Sequence, residues 1–194
     1  MKRNMEENKK ELIREAAVKV MAEKGFYNTK TSQIAEEAGV AVGTIYNYFG
    51  SKEEILEYIF EIEFEKRMKL LKKVNELEKD FWGKMKYFLQ QHFQEIINNM
   101  DTGKILVREK EFPRKNASKA IDSYLYQIPE KLQFLLEKSV ENNEIKPCNV
   151  EITAALIFGA IQGIVEKAIK NRDITLLKNA DSEILKIFKE GLEI

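Results

Sequence analysis

TSQIAEEAGVAVGTIYNYFGSK, spanning Thr31 to Lys52, reads as two short helices joined by a tight turn and followed by the start of a third. Thr31 is a suitable N-cap, and Ile34, Ala35 and Ala38 form a small apolar stripe at helical spacing. Gly39 stops that helix, because the residue just past a C-terminus favours a left-handed conformation that glycine adopts without strain. Val42 to Phe49 forms the next helix, with Ile45 and Phe49 four apart on one face. Its other face carries Gly43, Thr44, Tyr46, Asn47 and Tyr48 and no long apolar side chain. Ser51 and Glu54 make a capping box that opens a third helix. The pattern is a helix-turn-helix written in caps and glycines.

Around this stretch the composition favours helix throughout. The 194 residues hold three prolines and nine glycines amid many Lys, Glu, Leu and Ile, and 44% apolar residues suffice for a substantial core. The 32 basic and 32 acidic residues cancel; nine basic against seven acidic lie at or before Lys52, leaving 23 against 25 beyond it. So mild an asymmetry allows point contacts to phosphate without a strong nonspecific grip on DNA. A single cysteine, Cys148, excludes an internal disulfide and suits a reducing cytosol. The longest uncharged apolar run, Ile152 to Val165, has 14 residues, short of a membrane span, and MKRNMEENKKE lacks the apolar core of a secretory signal. A cytoplasmic protein with no membrane partner is expected.

The first helix is expected from about Glu6 to Lys24, with Gly25 as its stop. After the motif, a helix from Lys52 to about Lys73 begins apolar and turns charged, as suits a connector into a second domain. Phe81 to Asn99 is strongly amphipathic through Phe81, Met85, Phe88, Leu89, His92, Phe93, Ile96 and Ile97. A shorter helix follows from Asp101 to near Phe112 and Pro113. A long one from about Ala117 to Asn142 carries Pro129 inside it, which predicts a kink or break. Two helices, Val150 to Asn171 and Asp181 to Leu192, close the chain. The expected fold is all-α, with a helix-turn-helix domain at 1–52 and a helical ligand-binding and dimerisation domain at 53–194.

The motif resembles the DNA-binding signature of TetR-family transcriptional regulators on Thr31, Ile34-Ala35, Ala38-Gly39-Val40, Gly43-Thr44, Tyr46, Tyr48-Phe49 and Ser51-Lys52-Glu53, with Ile55-Leu56 as a conservative departure in the last turn. The detailed match covers about the first 60 residues. The resemblance implies a homodimer that binds a pseudo-palindromic double-stranded DNA operator, usually as a repressor, and is released by a small apolar effector. Within the family, GVAVGTIYNYFGSKEEIL is similar to the fatty-acid-degradation (FadR-like) branch, which implies long-chain acyl-CoA as effector. A multidrug-efflux regulator of flat aromatic cations, using Glu109, Glu111 and Glu166, is the alternative.

A recognition helix needs small or polar residues at its start so that its backbone approaches the groove. Gly43 and Thr44 meet that need. Tyr46 and Tyr48 offer hydroxyls to phosphate, Lys52 lies at a helix N-terminus, and Thr31 and Ser32 offer hydroxyls or amides. Base readout falls to Val42, which suits a thymine methyl, to Gly43, and to Gln33 and Asn47, which suit adenine. A plainer reading has Tyr46 covering the core edge and Asn47 solvated.

Ala155, Gly159 and Gly163 recur every four residues and make a ridge that another helix approaches closely. With Ile184, Ile187 and Phe188 it fits the dimer interface that TetR-like proteins build from their last two helices; intrachain packing is the plainer alternative. Phe88, Phe112, Tyr124, Phe134 and Phe158 supply surplus apolar surface for a ligand, with His92, Arg108 and Gln162 as polar anchors. Against this, the plainer readings carry more weight: His92 as a hydrogen-bonded core or edge histidine, and Arg108 as an ordinary ion-pair partner.

An enzyme has little footing. There is no Gly-x-Ser-x-Gly elbow, no phosphate-binding glycine loop and no Glu-x-x-His pair, since Leu89 stands three residues before His92. No cofactor or metal is expected. The remaining rival, an effector-free architectural DNA binder, does not call for 140 further helical residues.

Overall fold

The computed structural model describes residues 2–110 and 119–193, with side chains from residue 6 onward. In chain order the helices are α1 (Lys2–Lys24), α2 (Thr31–Glu37), α3 (Val42–Tyr46), α4 (Lys52–Asn75), α5 (Phe81–Asn98), α6 (Met100–Arg108), α7 (Lys119–Asp122), α8 (Ile128–Glu141), α9 (Val150–Asn171) and α10 (Thr175–Leu192). Among the described residues there is no strand. The chain forms two compact units, Met1–Glu63 with Asp101–Ile121 and Phe64–Met100 with Asp122–Ile194.

In the first unit α1 packs on α2 and α2 on α3. Ile13, Ala17 and Met21 of α1, Ile34 and Ala35 of α2, Ile45 and Phe49, and Ile55 and Ile59 of α4 are all buried. Each large aliphatic or aromatic side chain taken from water in this way contributes roughly 1.5–3 kcal/mol. The expected stops hold, with φ of +81° at Gly25 and +63° at Gly39. Three boundaries differ from the expectation. The N-cap of α2 is Lys30, so Thr31 is the first helical residue. The helix α3 ends at Tyr46, although the Phe49 N–H still reaches the Ile45 carbonyl at 2.9 Å and keeps Phe49 in the core. The start of α1 lies at Lys2, ahead of Glu6.

In the second unit α5 packs on α10 and α8, and α9 packs on α8 and α10. The α5 stripe of Phe81, Met85, Phe88, Leu89, Phe93 and Ile96 is buried, as its spacing predicts. The break expected at Pro129 takes a specific form. Ser123–Gln127 is a π-helical turn between α7 and α8. Proline has no N–H and its ring collides with the carbonyl four residues back, so a wider turn just upstream removes the clash. The α10 helix starts at Thr175 and not at Asp181. Asp173 Oδ1 accepts from the Thr175 N–H (2.9 Å) and hydroxyl (2.5 Å), and Leu177 and Ala180 are buried on the additional turns.

Helix α9 turns Ile157, Ile161, Val165 and Ala168 inward. Its opposite face is apolar too: Ile152 and Leu156 are 58% and 59% exposed, and Ala155, Gly159 and Gly163 are exposed beside them. Among the described residues α9 is the one helix long and apolar enough, by length and composition, to cross a bilayer.

Candidate nucleic-acid interface

The loop between α1 and α2 is held from three sides within the first unit. Thr29, itself buried, donates its hydroxyl to the Gly25 carbonyl at 2.7 Å. Lys52, the first residue of α4, directs its Nζ to the carbonyls of Phe26 (2.7 Å) and Thr29 (2.8 Å) and lies 3.5 Å from that of Tyr27. The same ammonium sits 4.4 Å from the centroid of the Phe26 ring. Glu109, just past α6, accepts the Phe26 N–H at 3.2 Å and Arg108 Nε at 2.8 Å. The Arg108 guanidinium donates onward to the carbonyls of Met21 and, at 3.5 Å, of Ala22. Those carbonyls lie in the last turn of α1; that of Met21 also accepts the Gly25 N–H at 2.8 Å, and the next N–H, of Phe26, turns to Glu109, so α6 adds to the C-cap of α1.

These contacts fix the support on which α2 and α3 stand. Glu54 N–H donates to Ser51 Oγ at 3.2 Å, the first half of the expected capping box. The second half is displaced by one residue: the Glu54 carboxylate accepts from the Gly50 N–H at 2.8 Å. A Cβ on Gly50 would lie 2.9 Å from that carboxylate, so a larger residue there would displace the Glu54 side chain from this contact.

The surface above this support gathers most of the residues expected to meet DNA. Ser32, Val42, Gly43, Tyr46 and Asn47 are exposed, while Thr31, Thr44 and Tyr48 are half-buried. Val42 and Tyr46 are 40% and 55% exposed, unusual for an apolar and an aromatic side chain flanking the buried Ile45. Two residues are placed differently. Gln33 turns its side-chain oxygen back to the Lys30 N–H at 3.0 Å, closing the first turn of α2. Lys52, expected to meet a phosphate, has its three donors directed at backbone carbonyls.

The residues expected around a ligand are not all brought together. Phe88, His92 and Tyr124 are buried in the second unit. His92 stacks on Phe88 at 5.9 Å and meets Phe93 edge-on at 5.7 Å. Burial pushes its imidazole down to about 3, and the positive charge of Arg67 adds to the effect, so the ring is neutral. The Nδ1 atom is buried without a hydrogen-bond partner. Phe158 and Gln162 are half-buried on α9. Phe134 instead points out, 49% exposed, beside a shallow groove of about 270 Å³ lined also by Met68, Leu71 and Lys131. Arg108 belongs to the first unit, bound as described, and Phe112 lies outside the described residues. Arg67, 2% exposed, escaped the sequence reading; the signal was its place on the α4 stripe with the buried Leu71 and Val74, at spacings of four and seven. Of the expected dimer residues, Ala155, Gly159, Gly163 and Ile187 are exposed, Phe188 is half-buried, and Ile184 is buried within the unit.

Comparison with known proteins gives a consistent result. Residues 13–59 match the model of the bacterial regulatory proteins of the tetR family. The fatty acid metabolism regulator protein of Bacillus subtilis is 31% identical over 182 residues, covering 89% of this chain and 91% of the relative. The crystal structure of FadR from Bacillus subtilis in complex with stearoyl-CoA superposes with a TM-score of 0.82 at 27% identity, over 91% of this chain and 95% of that one. FadR from Bacillus halodurans gives 0.81 at 26% identity, over 91% and 94%. Both the helix-turn-helix and the helical remainder align with transcriptional regulators, and the chain belongs to the TetR family.

Proposed function

We propose that this chain is a homodimeric DNA-binding repressor released by long-chain acyl-CoA. The observation that carries the reading is the full-length likeness to a FadR crystallised with stearoyl-CoA, extending well beyond the DNA-binding motif. On this reading, residues 1–52 hold the DNA and 53–194 hold the effector and the second protomer. Thr31, Ser32, Thr44, Tyr46 and Tyr48 meet phosphates, while α3 enters the major groove through Val42, Gly43 and Asn47. The exposed α9 face is covered by its copy in the partner, with Gly159 and Gly163 allowing close helix approach. Nothing lies within 4 Å of a Cβ built on either glycine, which supports a role for them outside the protomer's own packing.

The aromatic interior around Phe88 and Tyr124 suits an acyl chain. The neutral His92, with a buried unpartnered Nδ1, is a polar group available to orient one end of it. Effector binding favours a dimer whose two α3 helices no longer match the half-site spacing, which lowers operator affinity by population shift. The aromatic-cation alternative has less support: Glu109 is bound to Arg108 and Phe26, Glu166 lies 2.6 Å from Lys170, and Glu111 is outside the described residues.

Fluorescence anisotropy of labelled DNA from upstream of the gene tests the proposal. Tight binding that stearoyl-CoA reverses, and that free CoA does not, is the expected result. Binding indifferent to every acyl chain length sinks the effector assignment and leaves the regulator standing.

A further inference from the structure

Between Lys30 and Lys52 the chain contains no lysine and no arginine, and this span includes the whole of α2, the turn and α3. Guanine presents two acceptors, O6 and N7, to the major groove and is read by the donor forks of Arg or Lys. Neither flanking lysine supplies one beside α3. The Lys52 ammonium is held by the carbonyls of Phe26, Tyr27 and Thr29. Lys30 precedes α2, separated from the turn into α3 by seven helical residues, or about 10 Å of helix. Cytosine is read by carboxylates, and α3 has none; of the two on α2, Glu37 is paired with Lys19 at 3.1 Å. Bidentate adenine recognition by Gln33 needs the amide oxygen that the Lys30 N–H already occupies. Besides Tyr46, whose hydroxyl is assigned to a phosphate, what remains on the exposed side of α3 is an apolar surface, Ala41 and Val42, beside the bare backbone of Gly43, with Asn47 beyond.

We propose that this head reads its operator through thymine 5-methyl groups, with Val42 as the specificity-determining residue, and makes no paired contact to guanine. The inference rests on the DNA-binding reading above. Val42 fits the role in three ways. It is 40% exposed, so its isopropyl group is available. It is β-branched and stiff at χ1 on a helix, so little rotamer freedom is lost on contact. Its neighbour Gly43 has nothing within 4 Å of a built Cβ and an ordinary φ, so the backbone there is open to close approach. Asn47 then serves the adenine of the same A·T pairs.

The test uses the full-length protein to select duplexes from a random library. In an enriched duplex each thymine is replaced singly by deoxyuridine, which lacks only the methyl group, and each guanine by 7-deazaguanine, which lacks only the N7 acceptor. At least one thymine per half-site should lose roughly fourfold in affinity on demethylation, the scale of one buried methyl. Val42→Ala should reduce that thymine-to-uracil ratio to about one, a readout that a merely structural role would not move. Gly43→Ala, harmless to the free protein, should weaken all duplexes alike. Indifference to demethylation, equal sensitivity in Val42→Ala, or a tenfold loss from a 7-deazaguanine would each overturn the inference while leaving the DNA-binding reading intact. No enrichment of any sequence would overturn both.

Discussion

In the first unit the side chains that close the fold end on backbone. Lys52 reaches three carbonyls of one loop, Arg108 reaches the last turn of α1, and Glu109 takes the Phe26 N–H. In the second unit rings and aliphatic chains dominate: Phe81, Phe88 and Phe93 run along α5 with His92 stacked among them, while the Glu144 carboxylate accepts the Phe81 N–H at 2.6 Å. Hydrogen bonds are directional, and charged ones to backbone fix a loop to tenths of an ångström. Apolar contact is non-directional and tolerates repacking at modest cost. A surface that must match the fixed edges of a duplex gains from the first kind of closure. An interior that must admit an apolar guest gains from the second.

The comparison breaks most easily at the outer face of α9. Gly159→Glu puts a charge where the protomer leaves open space, so the fold should persist. Operator affinity should fall at least 100-fold as the avidity of two half-sites is lost, with a monomer in sedimentation velocity. A variant that stays dimeric and binds normally would show that this apolar face has another use. Next in size is the clasp on the first unit. Glu109→Ala leaves the Phe26 N–H and the Arg108 guanidinium without their acceptor and should cost about 2–3 kcal/mol in urea unfolding at fixed protomer concentration. Glu109→Gln, which keeps an acceptor, should cost less.

His92 sharpens the contrast through pH. Its folded value of about 3 lies below the ordinary 6.5, so the folded state binds fewer protons than the unfolded one between those limits. Its contribution is therefore intact above 6.5 and is lost as pH falls, at up to about 1.4 kcal/mol per unit. His92→Phe should flatten that part of the stability profile. The smallest effect is expected of Lys52→Met, which keeps the stem over Phe26 and removes the ammonium. Stability should drop by about 1 kcal/mol, while the salt dependence of operator binding stays unchanged. A slope shallower by about one per half-site would return Lys52 to the phosphate.

How much of this was legible in the sequence depends on distance along the chain. Gly25, Gly39, Ser51 and the α5 stripe act within one or two turns, and each does what its local chemistry predicts. Even there, the Gln33 side chain captured the Lys30 N–H, which makes Lys30 the N-cap and starts α2 at Thr31, one residue earlier than a Thr31 cap would. Pro129 announced a defect in its helix but not that a π turn upstream would absorb it. The clasps were illegible for a plainer reason. Arg108 and Met21 are 87 residues apart, and Lys52 and Phe26 are 26 apart, so their pairing follows from the assembled fold. Arg108 is legible as an ion-pair partner, but that it pairs with the adjacent Glu109 while capping the end of α1 follows only from the fold.

The absence of basic residues from the recognition stretch also bears on how the protein finds its site in a cell. Nonspecific residence on bulk DNA depends on cations set against phosphates, and this surface presents few of them. A regulator with such a face is diluted little by the genome, so a larger share of its copies is free in solution at any moment. Fewer molecules then keep a single operator occupied, and a falling copy number is felt at the promoter later than it would be for a strongly basic head.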